Sequence, residues 1–409
     1  ADLWRGTLLA LALEPRDHPA WRLREPAAIS LAPRSGTFTL EDACLDAAPA
    51  FACLSADSAS GALEGELALQ DFDLAQLTPL LGGGSDPGFA LRGELDATAQ
   101  VSRSAAGALR GHLSARIPEI ALQPTLDPRA APIELREFAL DATFAPDLAR
   151  LELDSRATAD GHLRAEMELA DPDAADGALR GTFDLLLPDI SAVDGFSDQV
   201  IAAQGRIEGA LRLSGTRAAP EIDGQLELTG LAAQIPALGL KLHDGTLRAR
   251  RDTGDAIALE GSLGLGEGVL ELAGDLQRDE AGRPVASATL RGENLTVMDT
   301  SEARLRASPD LRLHLADGRL KLRGEVAVPF ARIDLEQLQS VRTPSSDVLI
   351  VDEETPDAGA LAVDADLGLS LGEDVRMKGY GLSGTLAGKL RVRDRPGKAT
   401  TARGAIEVG

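Results

Sequence analysis

"APEIDGQLELTGL", residues 219–231, decides how the chain is read. Every second residue from Ile222 gives Ile222, Gly224, Leu226 and Leu228, one apolar face of a strand with a gap at Gly224. Asp223, Gln225 and Glu227 fall on the other side. Alternation of this kind predicts a strand with one dry and one wet face. The gap needs a reason, because glycine inside a strand costs roughly 0.5–1 kcal/mol relative to alanine and packs nothing.

The same grammar recurs along the chain. Leu63-Gly65-Leu67-Leu69, Leu91-Gly93-Leu95, Leu109-Gly111-Leu113, Leu179-Gly181-Phe183-Leu185 and Ile207-Gly209-Leu211-Leu213 carry it. So do Leu259-Gly261-Leu263-Leu265, Leu322-Gly324-Val326-Val328 and Leu386-Gly388-Leu390-Val392. Uneven spacing between copies excludes a fixed-length solenoid repeat. In "IALEGSLGLGEGVLELAG" (257–274) the parity puts Leu259, Leu263 and Leu265 on the apolar side and Glu260 and Ser262 on the other. After the Gly264–Gly268 turn, Leu270 and Leu272 resume the apolar side. Inward glycines suit strong coiling or a widened interior. Gly261→Phe is therefore expected to obstruct that interior with modest loss of fold. Two architectures fit: a closed sandwich whose leucine rows fill one another's gaps, or a sheet curled into an open trough. Periodicity alone favours the sandwich, since closed cores are commoner.

Composition narrows the function classes. The 409 residues are 44% hydrophobic but only 3% aromatic, so the dry surface is aliphatic and poor in hydrogen-bonding handles. Lys plus Arg is 41 and Asp plus Glu is 65, a net charge of −24. Nucleic-acid binding needs a basic footprint with stacking aromatics, and the composition supplies neither. No apolar run approaches the ~18 residues of a membrane span. The chain opens at "ADLW" and stops at "ARGAIEVG" in mid-pattern, and is read as a piece of a longer protein.

Cys44 and Cys53, in "EDACLDAAPAFACLS", fit a hairpin that joins them as a disulfide in an oxidising compartment. The alternative is two small buried hydrophobes. Helical spacing is confined to 69–83, where a short helix near 71–82 is expected, and to weaker stretches at 189–205 and 334–341. The acidic stretch 351–359 reads as a solvated loop. Chemistry is sparse. His18, His112, His162, His243 and His314 are scattered without metal-ligand spacing. "LGGGSDPG" (81–88) lacks the Lys-Ser/Thr of a phosphate loop. No catalytic residue, metal site or cofactor is expected.

"GTRAAPEIDGQLELTGLAAQIPALGLKLHDGTLRAR" (215–250) resembles the C-terminal region of the translocation and assembly module inner-membrane subunit (TamB) family, within the AsmA-like superfamily. "SSDVLIVDEE" (345–354) and "LGLSLGEDVRMKGYGLSGTLAGKLRV" (367–392) resemble the same family. Upstream, "PAWRLREPAAISL" (19–31) and the cysteine segment resemble its preceding block more softly. The resemblance implies an all-β, elongated curled sheet (β-taco) with an apolar trough and a few short helices. It divides the chain into an upstream β segment (1–118), a middle β segment (119–200) and the family's C-terminal region (201–409).

On this reading the trough is lined by Ile222, Leu226, Leu228, Leu259, Leu263, Leu265, Leu270 and Leu272. Leu322, Val326, Val328, Leu386, Leu390 and Val392 continue the lining. The implied partners are phospholipid acyl chains and an outer-membrane Omp85-type (TamA-like) barrel, with no nucleic acid and no metal. The implied place is the periplasm of a Gram-negative cell, as part of a protein anchored in the inner membrane. The implied work is moving phospholipid between the membranes and supporting assembly of outer-membrane proteins and autotransporters. The alternatives are an assembly factor that templates nascent strands by β-augmentation without lipid transport, and a closed sandwich array that binds nothing.

Overall fold

The computed structural model describes residues 3–14, 19–81, 87–157, 160–197, 199–251, 256–279, 283–338, 362–396 and 398–409. Among these residues the chain is all-β, with twenty-six strands and five helical turns of three to six residues. It divides into two compact units, Ala1–Asp198 with Ile207–Gly224, and Gln199–Arg206 with Gln225–Gly409.

The first unit holds β1 (Trp4–Leu8), β2 (Ala12–Leu13), β3 (Trp21–Leu23), β4 (Ala27–Ala32), β5 (Thr37–Ala47), β6 (Ala50–Ala59) and β7 (Ala62–Asp73). It continues with β8 (Phe89–Arg92), β9 (Glu94–Arg103), β10 (Leu109–Pro124), β11 (Ile133–Phe144), β12 (Leu148–Ala157), β13 (His162–Ala170) and β14 (Leu179–Leu187). Residues of β15 (Ile201–Gly215) and β16 (Pro220–Ile235) are divided between the units. The second unit has β17 (Leu240–Arg251), β18 (Ile257–Leu265), β19 (Gly268–Arg278), β20 (Pro284–Gly292) and β21 (Leu295–Asp299). It ends with β22 (Ala303–Ala316), β23 (Arg319–Asp334), β24 (Ala362–Gly379), β25 (Leu382–Arg395) and β26 (Lys398–Val408).

Both units are built mainly from antiparallel neighbours. In the second, β17, β18, β19, β20, β22 and β23 pair in succession, and β24, β25 and β26 follow. The β23–β24 pair is parallel. Two-residue turns set several registers. Asp317-Gly318 joins β22 to β23 with both φ angles positive, as does Ser60-Gly61 between β6 and β7. Such turns match the right-handed twist of their strands, which is why Asp-Gly and similar pairs sit there.

Among the described residues of either unit, no second sheet covers the first. Beyond ladder neighbours, the substantial strand packing of the second unit is that of β21 on β17, β18 and β19. The sandwich favoured by periodicity alone is therefore not formed. Fully buried apolar residues are mostly alanine, and most of the larger ones, though not Leu74, Ile117 or Leu311, gather in local clusters. Trp21, Ala47 and Ala50 form one, where Trp21 stacks on Phe72 at 6.0 Å and donates to Gln76 Oε1. Leu240, Leu265 and Leu295 form the second, and Val328, Ala331 and Val375 the third. Most strand leucines are half-buried instead.

The helix expected near 71–82 starts later. β7 persists to Asp73, opposite Glu94, before a 3-10 turn at Leu74–Leu77 and one α-turn at Thr78–Leu81. Asp73 fixes the boundary by accepting from the Ala75 amide at 2.9 Å. Phe72 and Leu74 thus belong to a strand and a turn, although their spacing mimics one helix. The 189–205 stretch gives a 3-10 turn at Ser191–Phe196 and then β15. The 334–341 stretch contains one α-turn at Leu335–Leu338. The motif at 345–354, the acidic stretch 351–359 and His18 lie outside the described residues.

Gly224 and Gly324 explain the gaps. Gly324 has φ +144°, and a Cβ there would meet the Asp310 carbonyl oxygen at 2.2 Å. Gly224 has φ +124°, with Ala210 O at 2.2 Å. In both places the neighbouring backbone occupies the space a side chain would take, so the glycine serves a close approach rather than leaving a cavity. Gly261 is similarly tight, 2.9 Å from Thr246 O, so Gly261→Phe disturbs the sheet more than the sequence alone implies. Gly65 differs, with only Ser55 O at 3.8 Å.

Cys44 and Cys53 are direct cross-strand partners on β5 and β6 and are joined by a disulfide.

Two outcomes follow from this backbone. Gly324→Ala should lower the urea midpoint by an amount equivalent to about 1–3 kcal/mol, through backbone strain. Gly65→Ala should be neutral or stabilising by up to about 1 kcal/mol, because it only restricts the unfolded chain. Equal losses at both would contradict the close-approach explanation. Separately, a thiol-blocking reagent applied to the unreduced, denatured protein should modify neither cysteine. Replacing both by serine should remove roughly 2–3 kcal/mol, the loop-closure term for so short a loop.

Candidate functional site

Cross-strand register gathers the apolar parity of each strand into rows. In the second unit one row runs Leu247, Gly261, Leu272, Leu290, Leu311, Gly324, Leu367, Val392 and Ala402, each directly opposite the next. It crosses nine strands without a polar residue. At ~4.8 Å per strand that is about 38 Å. Beside it lies Ala249, Leu259, Gly274, Ala288, Leu313, Leu322 and Ala365. A further row has Pro309, Val326, Leu369, Leu390 and Gly404. The rows continue across the parallel pair because Gly324 faces Leu367 and Val326 faces Leu369.

The first unit has its own row. Gly6, Ile29, Leu40, Ala56, Gly65 and Val101 are successive partners, followed by Gly111, Phe144, Ala149, Leu169 and Leu179.

The residues singled out from sequence divide into three groups. Leu259, Leu263, Leu270, Leu272, Leu322, Val326, Leu390 and Val392 are half-buried on the shared face of the second unit. Leu265 and Val328, 8% and 9% exposed, are instead packed into the two local clusters, and Leu386 lies against the second of these. On β16, Leu228 is half-buried, whereas Ile222 and Leu226 are 46% and 41% exposed. Leu247, Leu290, Leu311 and Leu367 join the face without having been singled out. The alternation in "LRLHL" (311–315) is the signal that finds Leu311 and Leu313.

One end of the face is covered. β21 places Leu295, 1% exposed, against Leu240 and Leu265, with Leu238, Leu242, Leu270 and Val297 around it.

The opposite face is polar and laced with ions. Arg248 contacts Glu227 at 2.7 Å, Arg291 contacts Asp310 at 3.2 Å, and Arg323 contacts Asp364 at 3.0 Å. Asp366 receives both Arg391 at 2.6 Å and Arg393 at 3.2 Å. Hydrogen bonding from Arg323 holds the Asp364 carboxyl below its ordinary range, and Arg391 does the same for Asp366. The described histidines do not converge. His112 and His162 contact Asp141 and Asp184, His243 lies between Asp244 and Gly266 O, and His314 meets Ser287. Asp244 and the Gly266 carbonyl raise the His243 pKa. Among the described residues no group of three His, Cys, Asp or Glu is placed to hold a metal, and no helix is long and apolar enough to cross a membrane.

Comparison with known proteins agrees along nearly the whole chain. A family model described as "TamB, N-terminal domain" matches residues 1–228, and one described as "TamB C-terminal domain" matches residues 259–409. The "Translocation and assembly module subunit TamB" of Haemophilus influenzae is 24% identical over 210 residues. That stretch is 48% of this chain and 16% of that protein, so the chain spans far less than the full length of its relative. No solved structure matches.

A charge separates the open rows from the packed clusters. Leu263→Asp should leave soluble protein with an unchanged β spectrum, because its carboxylate reaches water. Leu295→Asp should abolish soluble folded protein, since an unpaired buried charge costs several kcal/mol. Unfolding by both would show that the rows form a closed core.

Proposed function

The chain belongs to the TamB family, and on that premise we propose that its apolar rows carry phospholipid acyl chains across the periplasm between the inner and outer membranes. The same surface supports the assembly of outer-membrane proteins and autotransporters, with a TamA-like Omp85 barrel as the outer-membrane partner. One observation carries the reading: an uninterrupted, largely half-exposed apolar row crosses nine strands, and among the described residues only β21, at one end, lies over that face.

The energetics favour lipid over a compact ligand. A two-chain phospholipid exposes roughly 30 methylenes, about 25 kcal/mol of apolar hydration at ~0.8 kcal/mol each, which is why it does not cross water unaided. A row of Leu, Val, Ala and Gly shields those chains at each step and offers no polar pocket to trap them. Because adjacent positions are chemically alike, the free energy stays nearly level and the chains slide. The scarcity of aromatics serves the same end, and a disulfide in the first unit suits an oxidising compartment such as the periplasm.

A photo-crosslinking residue at Leu263 or Leu390, introduced into the protein in cells, should capture phospholipid. The same residue at Glu260 should capture little, since one step along a strand reverses the face. Leu265, beneath β21, should label more weakly than Leu263. Equal capture at Leu263 and Glu260 would refute an acyl-binding face. Absence of lipid at every apolar position would favour strand templating without lipid transport.

A further inference from the structure

The segment "GKLRVRDRPGKATTARG", residues 388–404, contains six cations and one carboxylate in a chain of net charge −24. On β25 the outer parity is Lys389, Arg391, Arg393 and Arg395, all exposed, behind the inward Leu390 and Val392. Register then creates a conflict. Arg391 stands directly opposite Arg403, and Arg395 directly opposite Lys398. Like charges in directly opposed positions destabilise a sheet. Elsewhere on this face Glu271 stands opposite Arg291 and Arg291 opposite Asp310, and where like charges meet at Arg312 and Arg323, Arg323 is also paired with Asp364 at 3.0 Å.

The acids nearby only partly offset the conflict: Asp364 and Glu325 act on Arg395 and Arg391 through space without a direct contact. Asp366 alone receives both Arg391 and Arg393. Asp394 lies on the inward parity and accepts from Thr400. Arg395, Lys398 and Arg403 make no ion-pair contact among the described residues. Between the cations is a cleft of about 310 Å³ lined by Arg391, Arg393, Arg395, Lys398, Thr401 and Arg403. Its volume is on the scale of a small-ligand site.

We propose that this cleft takes the phosphate of an anionic phospholipid headgroup and so docks the outer face of the β25–β26 hairpin onto an anionic bilayer surface. Guanidinium forks match phosphate oxygens two at a time, and an anion between the two cation pairs removes their repulsion. No aromatic residue lies in the hairpin to stack a base, so nucleic acid is disfavoured. Net negative charge elsewhere does not prevent docking, since fields are screened within about 8 Å at physiological salt. The inference rests on the proposed function only for choosing a bilayer as the occupant.

The test is sedimentation of the whole chain with vesicles at physiological salt. Vesicles enriched in phosphatidylglycerol should bind it, and vesicles of phosphatidylcholine alone should not. Near an anionic surface each cation contributes about a fivefold gain. Arg395→Gln, Lys398→Gln and Arg403→Gln together should therefore weaken binding on the order of 100-fold. These changes spare the Asp366 contacts and relieve both cation pairs, so the urea midpoint should hold or rise. Neutralising Arg248, Arg291 and Arg312 on the same face should alter binding far less. Unchanged vesicle binding in the hairpin triple variant overturns the proposal. So does preferential capture of polyglutamate, which would assign the cleft to an acidic protein segment. Acyl capture at Leu263 is read separately, so failure of docking and failure of lipid transport are distinguishable.

Discussion

Cross-strand register is the constraint on which the rest of this protein depends. Side chains alternate with a period of two, so a slip of one residue would move Leu259, Leu263 and Leu272 onto the charged face and bring Glu260 and Arg291 inward. Tight turns such as Asp317-Gly318 limit that freedom, and bulges adjust it locally. Ion pairs such as Arg291–Asp310 are exposed and add little to stability, but they disfavour wrong registers. The reward for the right register is spread thinly, because most apolar residues are only half-buried. A sheet of this kind is held by its ladder and its local clusters rather than by one central core.

The glycines belong to the same constraint. At Gly324 and Gly224 a neighbouring carbonyl stands where a side chain would project. The rows therefore run through these positions on backbone alone. Gly65, with room around it, shows that inward glycine does not always mark such an approach. β24 runs parallel to β23, yet the rows cross that junction intact because the paired residues keep the same parity. Continuity of the face thus depends on parity rather than on strand direction.

Much of this was legible in the sequence. Alternation identified the strands, the two faces and eight half-buried members of the second unit's apolar face. The difference between open and packed positions was not legible, because it depends on distant elements. Leu265 has the same local pattern as Leu263, but β21 returns from thirty residues further along to cover it. Phe72 and Leu74 mimicked a helix because a strand end and a turn can present the same spacing as one helical face. The glycine approaches and the opposed cations Arg391–Arg403 and Arg395–Lys398 also required register, which a single strand does not encode. The aliphatic composition was visible from the start, and so was the family resemblance, which the family match bears out.

The central claim is that the apolar face is open and holds acyl chains. Native mass spectrometry of the whole chain, purified without detergent from a Gram-negative periplasm, tests it most directly. The account predicts bound phospholipid of mixed acyl composition, reduced when Leu263 and Leu390 are both replaced by aspartate in protein that remains folded. Folded wild-type protein that carries no lipid, and takes none up from phospholipid vesicles, would contradict it.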